Sequence, residues 1–152
     1  MGLFGQFVGS WDLEVLWYLP DGSVRQAPGE WHFGWVLGGW AIQDVWVAPR
    51  RGDPTDVGAD LGDYGTSLRF YDPALKAWQS TWIGPRRCMV RQFVARAIAT
   101  EIVLEESHAD GVQTRWSFSD IGRDSFRWRN EDREDGARWS LRQEFHATRV
   151  RR

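Results

Sequence analysis

Residues 112–149 read VQTRWSFSDIGRDSFRWRNEDREDGARWSLRQEFHATR, and the side chains in this stretch alternate between two characters. Aromatic and aliphatic residues recur at every second position, whereas arginine and glutamate fill many of the positions between them. A period of two is typical of a β-strand with one buried and one solvated face. The stretch predicts three consecutive strands: Val112–Ile121, Ser125–Glu131 and Ala137–Arg149. Their predicted inner residues are Trp116, Phe118, Phe126, Trp128, Trp139, Leu141, Phe145 and Ala147.

The same period continues upstream, and Gly, Pro, Asn or Asp interrupts it about every eight to twelve residues, as between antiparallel strands. Residues 95–106 also fit a helix, but β-branched side chains such as Ile98 and Ile102 favour a hairpin. Seven further strands are predicted: Ser10–Leu19, Val24–Leu37, Trp40–Ala48, Tyr64–Tyr71, Ala77–Ile83, Cys88–Arg96 and Thr100–Glu106.

Ten short strands in succession, with no crossover helix between them, predict an all-β fold. A single antiparallel up-and-down β-barrel of about ten strands suits this pattern, because closure pairs the edges that a flat sheet would leave open. A two-sheet sandwich is the alternative. The 152 residues are sized for one domain, so residues 1–152 are interpreted as one barrel domain. The long irregular segment Arg50–Asp63 is interpreted as a mobile lid or a disordered insertion.

Composition narrows the possible partners. The formal net charge is −2 and acids and bases are interspersed, so a nucleic-acid partner is not expected. The sequence contains no apolar run long enough to span a membrane, so no membrane partner is expected either. Cys88 is the only cysteine, which favours a reducing, cytoplasmic location. A homodimer is left open.

Gly9-Ser10-Trp11 begins the first strand and Arg149 ends the last, and this combination resembles the calycin superfamily, which includes the lipocalins and fatty-acid-binding proteins. The resemblance implies that Arg149 lies over the Trp11 indole in a cation–π contact that closes one end of the barrel. The chain looks most like uncharacterised bacterial lipocalin-like barrel families. The similar segments are Leu37–Gln43, Phe70–Pro73, Ala77-Trp78, Trp82 and Arg127-Trp128. Such barrels bind hydrophobic molecules or haem, or catalyse isomerisation and cyclisation.

Aromatic residues dominate the predicted interior, since the chain has eleven Trp, eight Phe and three Tyr. They either fill the barrel or surround a cavity for a flat apolar ligand. Asp44, Arg91, Asn130 and Gln143 fall on inner faces and are candidate polar anchors. Asp44 and Arg91 need a partner, either each other, a ligand or water, because an unpaired buried charge is costly. The remaining candidate ligand-binding residues are Trp31, Phe33, Trp35, Ile42, Trp46, Phe70, Trp78, Trp82, Phe93, Trp116, Phe118, Phe126, Trp128 and Leu141.

Neither a metal nor a cofactor is expected. The three histidines lack a common metal-ligand spacing. His146 falls on a charged face, whereas nitrobindin-like haem barrels place a ligating histidine inside. The loop acids Asp53, Asp56, Asp60 and Asp63 are interpreted as solvated.

Three functions follow from these observations. The favoured one is binding or carriage of a small hydrophobic, aromatic molecule in the barrel. A barrel enzyme of the cyclase, isomerase or decarboxylase type is the alternative, with Asp44 as proton acceptor and Arg91 polarising an oxygen. A filled barrel that acts through protein–protein contacts is the third.

Overall fold

A computed structural model describes residues 2–58, 60–108, 110–134 and 136–151, and within these ranges ten β-strands close into one barrel. Every strand pairs antiparallel with its neighbours in the chain, and β1 pairs with β10. The predicted all-β up-and-down barrel is confirmed, and the β1–β10 pairing excludes the sandwich. The strands are β1 (Gly9–Tyr18), β2 (Val24–Val36), β3 (Ala41–Ala48), β4 (Asp63–Asp72), β5 (Ala77–Gly84), β6 (Met89–Ile98), β7 (Glu101–Ser107), β8 (Gln113–Ser119), β9 (Ser125–Arg133) and β10 (Ser140–Arg149).

One local prediction is confirmed and another is wrong. Residues 95–106 form the β6–β7 hairpin and not a helix, as the β-branched residues indicated. The last strand begins at Ser140 instead of Ala137, and Trp139 is not an inner residue. Its ring lies on the outer surface between two guanidinium groups, with the Arg115 Cζ 4.0 Å and the Arg133 Cζ 4.3 Å from the ring centroid. The prediction for Trp139 is wrong because the residue precedes β10 and these two cations hold its indole on the outer surface of the barrel.

The chain before β1 fills one end of the barrel, which we call the closed end. A short helix, α1 (Gly2–Gly5), brings the side chains of Phe4 and Phe7 inside, where both are fully buried. The Phe7 ring lies 4.8 Å from that of Phe118 and 4.9 Å from that of Phe126. This end of the interior is therefore packed with aromatic rings. No helix among the described residues has the length and apolarity needed to cross a membrane.

Trp11 and Arg149 seal the closed end. They are opposite each other in the β1–β10 pairing, and the Arg149 Cζ lies 4.3 Å from the Trp11 ring centroid. The guanidinium donates hydrogen bonds to the carbonyl oxygens of Gln6, Val8 and Arg123. A Cβ at Gly9 would lie 3.0 Å from the Arg149 guanidinium, and Gly9 has a φ of +125°. Both observations explain why glycine stands two residues before the tryptophan.

The segment between β3 and β4 lies at the opposite end of the barrel, which we call the open end. The Arg50 backbone N–H donates to the Pro28 carbonyl oxygen, and Arg51 donates to the Glu30 carboxylate. Burial alone would raise the pKa of Glu30, but bonds from His32 and Arg51 outweigh it and hold the pKa below the ordinary glutamate value. Val57 is buried in the core. A disordered insertion would not make these contacts, although Ala59 lies outside the described residues.

We expect Arg149→Ala to lower the free energy of unfolding by about 2–3 kcal/mol, because it removes a cation–π contact and leaves three carbonyl oxygens without their donor. Urea unfolding followed by tryptophan fluorescence measures the change. Arg142→Ala on the outer face of the same strand is the control, with an expected effect below about 0.5 kcal/mol. Equal effects for the two variants would contradict a sealing role for Arg149.

Candidate ligand-binding cavity

Five aromatic side chains form a closed circuit in the half of the barrel nearer the open end. Neighbouring ring centroids are 6.2 Å apart for Trp46 and Trp82, 6.2 Å for Trp82 and Trp116, 5.3 Å for Trp116 and Trp128, 4.7 Å for Trp128 and Phe145, and 6.1 Å for Phe145 and Trp46. The alternation of β3, β5, β8, β9 and β10 brings one ring from each strand to this level. We call this set the aromatic circuit.

The inner face of β4 makes room for the circuit. Gly65 lies between the strands of Trp46 and Trp82, and a Cβ at Gly65 would overlap the Trp82 ring. The next inner residue, Ser67, is also small and is buried. Glycine is therefore needed at Gly65 for close approach of an indole to the backbone.

The aromatic circuit surrounds a cavity of about 90 Å³ that opens toward the open end. All five circuit residues and Trp31 line it. The other lining residues are Leu61, Asp63, Ser67, Arg69, Arg87, Met89, Arg91, Asn130 and Gln143. An engineered apolar cavity that takes a benzene measures about 150 Å³, so this cavity is too small to enclose a whole aromatic ring, and a bound ring would extend into the mouth.

A buried ion pair lies beneath the cavity. The Arg69 guanidinium donates to the Asp44 carboxylate, and the two side chains are 1% and 0% exposed. The Ser67 backbone N–H donates to the other Asp44 oxygen at 3.1 Å. The Arg69 Cζ also lies 4.9 Å from the Phe4 ring centroid, so this arginine contacts the aromatic packing of the closed end. The predicted need of Asp44 for a partner is met by Arg69, not by Arg91.

Arg91 belongs to a second polar group on the cavity wall. Its guanidinium donates to Glu106 Oε1 at 3.0 Å from Nε and 2.6 Å from Nη2, and to the Thr114 hydroxyl at 3.0 Å. Thr114 in turn donates to Asp132 at 2.8 Å, and His108 Nε2 lies 2.9 Å from Glu106 Oε1. Arg91 is therefore neutralised by Glu106, as Arg69 is by Asp44.

Eight of the predicted ligand-binding residues line the cavity. They are Trp31, Trp46, Trp82, Arg91, Trp116, Trp128, Asn130 and Gln143. Others are buried in the barrel without lining the cavity, namely Phe33, Ile42, Asp44, Trp78, Phe93, Phe118 and Phe126. Leu141 is half-buried beyond the lining.

Two predicted lining residues are misplaced. Phe70 is on the outer face of β4 and 42% exposed, because the inner face of this strand carries Gly65, Ser67 and Arg69. Trp35 has the inner parity but lies where β2 ends, so its ring is 46% exposed and covers Gly5 of α1. Neither side chain faces the cavity.

Sequence reasoning missed three charged residues of the cavity, Asp63, Arg69 and Arg87. Arg69 was missed because Phe70 was assigned to the inner face of β4, which places residue 69 on the outer face. Asp63 was interpreted as solvated, yet it is the first residue of β4, is 5% exposed and lines the cavity mouth. Its Oδ1 accepts a hydrogen bond from the Tyr64 backbone N–H at 2.8 Å. The alternation of residues 63, 65, 67 and 69 was a usable signal, but the assignment of Phe70 to the lining implied the opposite faces.

Asp44 and Arg91, to which the enzyme hypothesis gives the roles of proton acceptor and oxygen polariser, do not lie together in the structure. Each is held by a separate partner, and Asp44 does not line the cavity. His146 is exposed on β10, and among the described residues no group of three histidine, cysteine or acidic side chains is arranged to hold a metal ion.

Comparison with solved structures identifies the class of barrel. The S-type phycobiliprotein lyase CPES from Guillardia theta superposes with a TM-score of 0.61 over 98% of this chain and 91% of its own, at 11% identity. Rv2717c from M. tuberculosis superposes with a TM-score of 0.59 over 97% and 95%, at 13% identity. The closed ten-stranded barrel and these likenesses place the chain among calycin-like folds. At such identities the likeness concerns the fold alone. No protein-family model and no curated protein sequence matches the chain.

We expect Asp44→Ala to lower the free energy of unfolding by about 3–5 kcal/mol, because it leaves the Arg69 guanidinium buried without its counter-charge. The double variant Asp44→Leu/Arg69→Met should recover most of the loss, since it removes both charges. Urea unfolding measures both.

Glu131→Ala is the control, because it breaks the Arg115–Glu131 pair of 3.0 Å on the outer face and should cost less than about 1 kcal/mol. A loss for Asp44→Ala as small as that of the control would contradict a stabilising role for the buried pair.

Proposed function

We propose that this protein binds a small, flat, hydrophobic molecule in the cavity inside the aromatic circuit. The closed circuit of five rings around open space is the observation that carries the proposal. A barrel built only for packing would fill this level as Phe4 and Phe7 fill the closed end. Aromatic walls with a few polar groups are typical of small-molecule sites.

The location of the mouth supports entry of a ligand from solvent. Leu61, Arg87 and Met89 line the cavity close to the open end and belong to the β3–β4 connection, the turn after β5 and the start of β6. Connections between strands rearrange at lower cost than paired strands do. A ligand can therefore enter without separation of any strand pair.

We also infer a reducing, cytoplasmic setting for this binding protein. The free thiol of Cys88 is exposed. An exposed thiol persists most readily where thiols are kept reduced. Fractionation of the cells that make the protein, followed by immunodetection, tests this inference, and recovery from an oxidising compartment would oppose it.

A variant that closes the mouth tests the binding proposal. Met89→Trp adds an indole to the lining and should weaken binding of toluene or phenol at least tenfold, measured by calorimetry or by ligand-induced thermal stabilisation. Arg96→Trp is the matched control, because Arg96 is on the same strand and is exposed on the outer face. If neither compound stabilises the wild-type protein, or if the two variants lose binding equally, the cavity is not the binding site.

A further inference from the structure

We infer that the ligand is a neutral phenol-type molecule, a single aromatic ring whose oxygen both accepts and donates a hydrogen bond. This inference rests on the proposed function and specifies its ligand. It is carried by two observations, the hydrogen-bonding groups that the cavity-lining residues leave unpaired and the balance of charge around them.

Four of the cavity-lining side chains carry a buried polar atom with no hydrogen-bond partner among the described residues. Three are donors, the indole N–H groups of Trp31 and Trp116 and the Nε–H of Arg69, and the fourth is the amide oxygen of Asn130. Buried polar groups are nearly always paired with protein, water or ligand. A pure hydrocarbon would leave all four without partners, whereas a hydroxyl can accept from a donor and donate to the Asn130 oxygen.

The charges of the site cancel. Arg69, Arg87 and Arg91 line the cavity, but Asp44 neutralises Arg69 and Glu106 neutralises Arg91. Arg87 carries the third positive charge and the buried Asp63 a negative one, and both line the cavity, so the formal charges of these six groups sum to zero. The three guanidinium groups of the lining disfavour a cation. Because Asp44, Glu106 and Asp63 compensate their charge, an anion gains no net electrostatic attraction, and a neutral ligand is favoured.

Three monocyclic compounds of similar size separate the contributions of apolar contact, hydrogen bonding and charge to the binding affinity. Toluene has no polar group, phenol replaces the methyl group by a hydroxyl, and benzoate is anionic at neutral pH. Toluene is the most hydrophobic and would bind best in a purely apolar cavity. We expect phenol to bind at least threefold more tightly than toluene and at least tenfold more tightly than benzoate, measured by calorimetry at pH 7.

Substitutions of tryptophan by phenylalanine keep an aromatic side chain but remove the indole N–H. They identify which N–H donates to the ligand oxygen. Trp116→Phe and Trp31→Phe each remove an indole N–H, and we expect at least one of them to reduce the preference for phenol over toluene to less than twofold. Trp17→Phe is the control, because Trp17 is a buried tryptophan of the barrel that does not line the cavity.

The outcomes distinguish this inference from the proposed function. Toluene or benzoate binding as well as phenol, or a preference for phenol unchanged in both indole variants, would overturn the ligand class and leave cavity binding intact, with water as the partner of the four polar atoms. Failure of all three compounds to bind would remove the proposed function itself.

A second, independent observation concerns the outer face of β3–β6. The strand registers place Val45, Thr66, Ile83 and Val90 in one row, and Gln43, Leu68, Thr81 and Gln92 in the next. Phe70, Gln79 and Val94 form a third row. None of these side chains is charged, and the larger apolar ones among them are mostly exposed. In contrast, the outer faces of β8–β10 carry arginine and glutamate in ion pairs.

We propose that a second copy of this chain docks on this uncharged face. Depletion of charge with retained aliphatic and aromatic side chains is typical of interface centres. Three rows about 7 Å apart on four strands about 5 Å apart give a footprint of roughly 400–500 Å² per copy. The total for two copies is about 800–1,000 Å², which is below the roughly 1,200 Å² of stable specific interfaces and suits a weak, transient, two-fold symmetric dimer.

Sedimentation equilibrium over a range of protein concentrations tests the dimer. We expect a monomer–dimer equilibrium in the micromolar range that Leu68→Arg weakens at least tenfold, because it places a charge in the middle row of the uncharged face. Val24→Arg is the control, since Val24 is an exposed aliphatic residue on β2, outside this face. A wild-type protein that stays monomeric at millimolar concentration, or equal weakening by both variants, would overturn the proposal.

Discussion

Pairing of β1 with β10 is the constraint on which the rest of the structure depends. Once these strands pair, no edge is left in the sheet, and every side chain of the ten strands points either to the axis or to solvent. The Trp11–Arg149 contact lies on this seam and also ties β10 to the segment before β1. Closure therefore fixes the direction of each indole ring and the position of the chain that enters the closed end.

The closed end of the barrel interior is filled, whereas the level of the aromatic circuit contains a cavity. The difference comes from which residues supply side chains at each level. At the closed end, α1 supplies Phe4 and Phe7 in addition to the side chains of the strands, and the rings there contact each other on all sides. At the level of the aromatic circuit only the strands supply rings. The small residues Gly65 and Ser67 leave part of the space there empty. A ten-stranded cylinder is wider than one that side chains of average size can fill. The cavity is the volume that remains.

The period of two predicted the strands and most inner faces because large aromatic residues alternate with charged ones on β8, β9 and β10. On β4 the same rule inverted the faces, since Leu68 and Phe70 point outward, and the inner positions hold small or charged residues that look like an outer face. The partner of Asp44 was therefore missed, although the hairpin register places Arg69 opposite Ile42, close to Asp44 along the strand. Phe4 and Phe7 gave no signal, because a short segment before the first strand has no period to interpret.

The two ion pairs next to the cavity explain how arginine can line an aromatic site without making it an anion site. Each guanidinium is fixed by a carboxylate, so the cost of burying the charge is offset within the protein and not by a ligand. What the lining side chains leave unpaired is a set of three buried N–H groups and one amide oxygen. Such groups discriminate between ligands by whether an oxygen stands in the right place, and salt has little effect on an interaction of this kind because the charges are already compensated at short range. Under the proposed function, the barrel selects its ligand by shape and hydrogen bonding and not by charge.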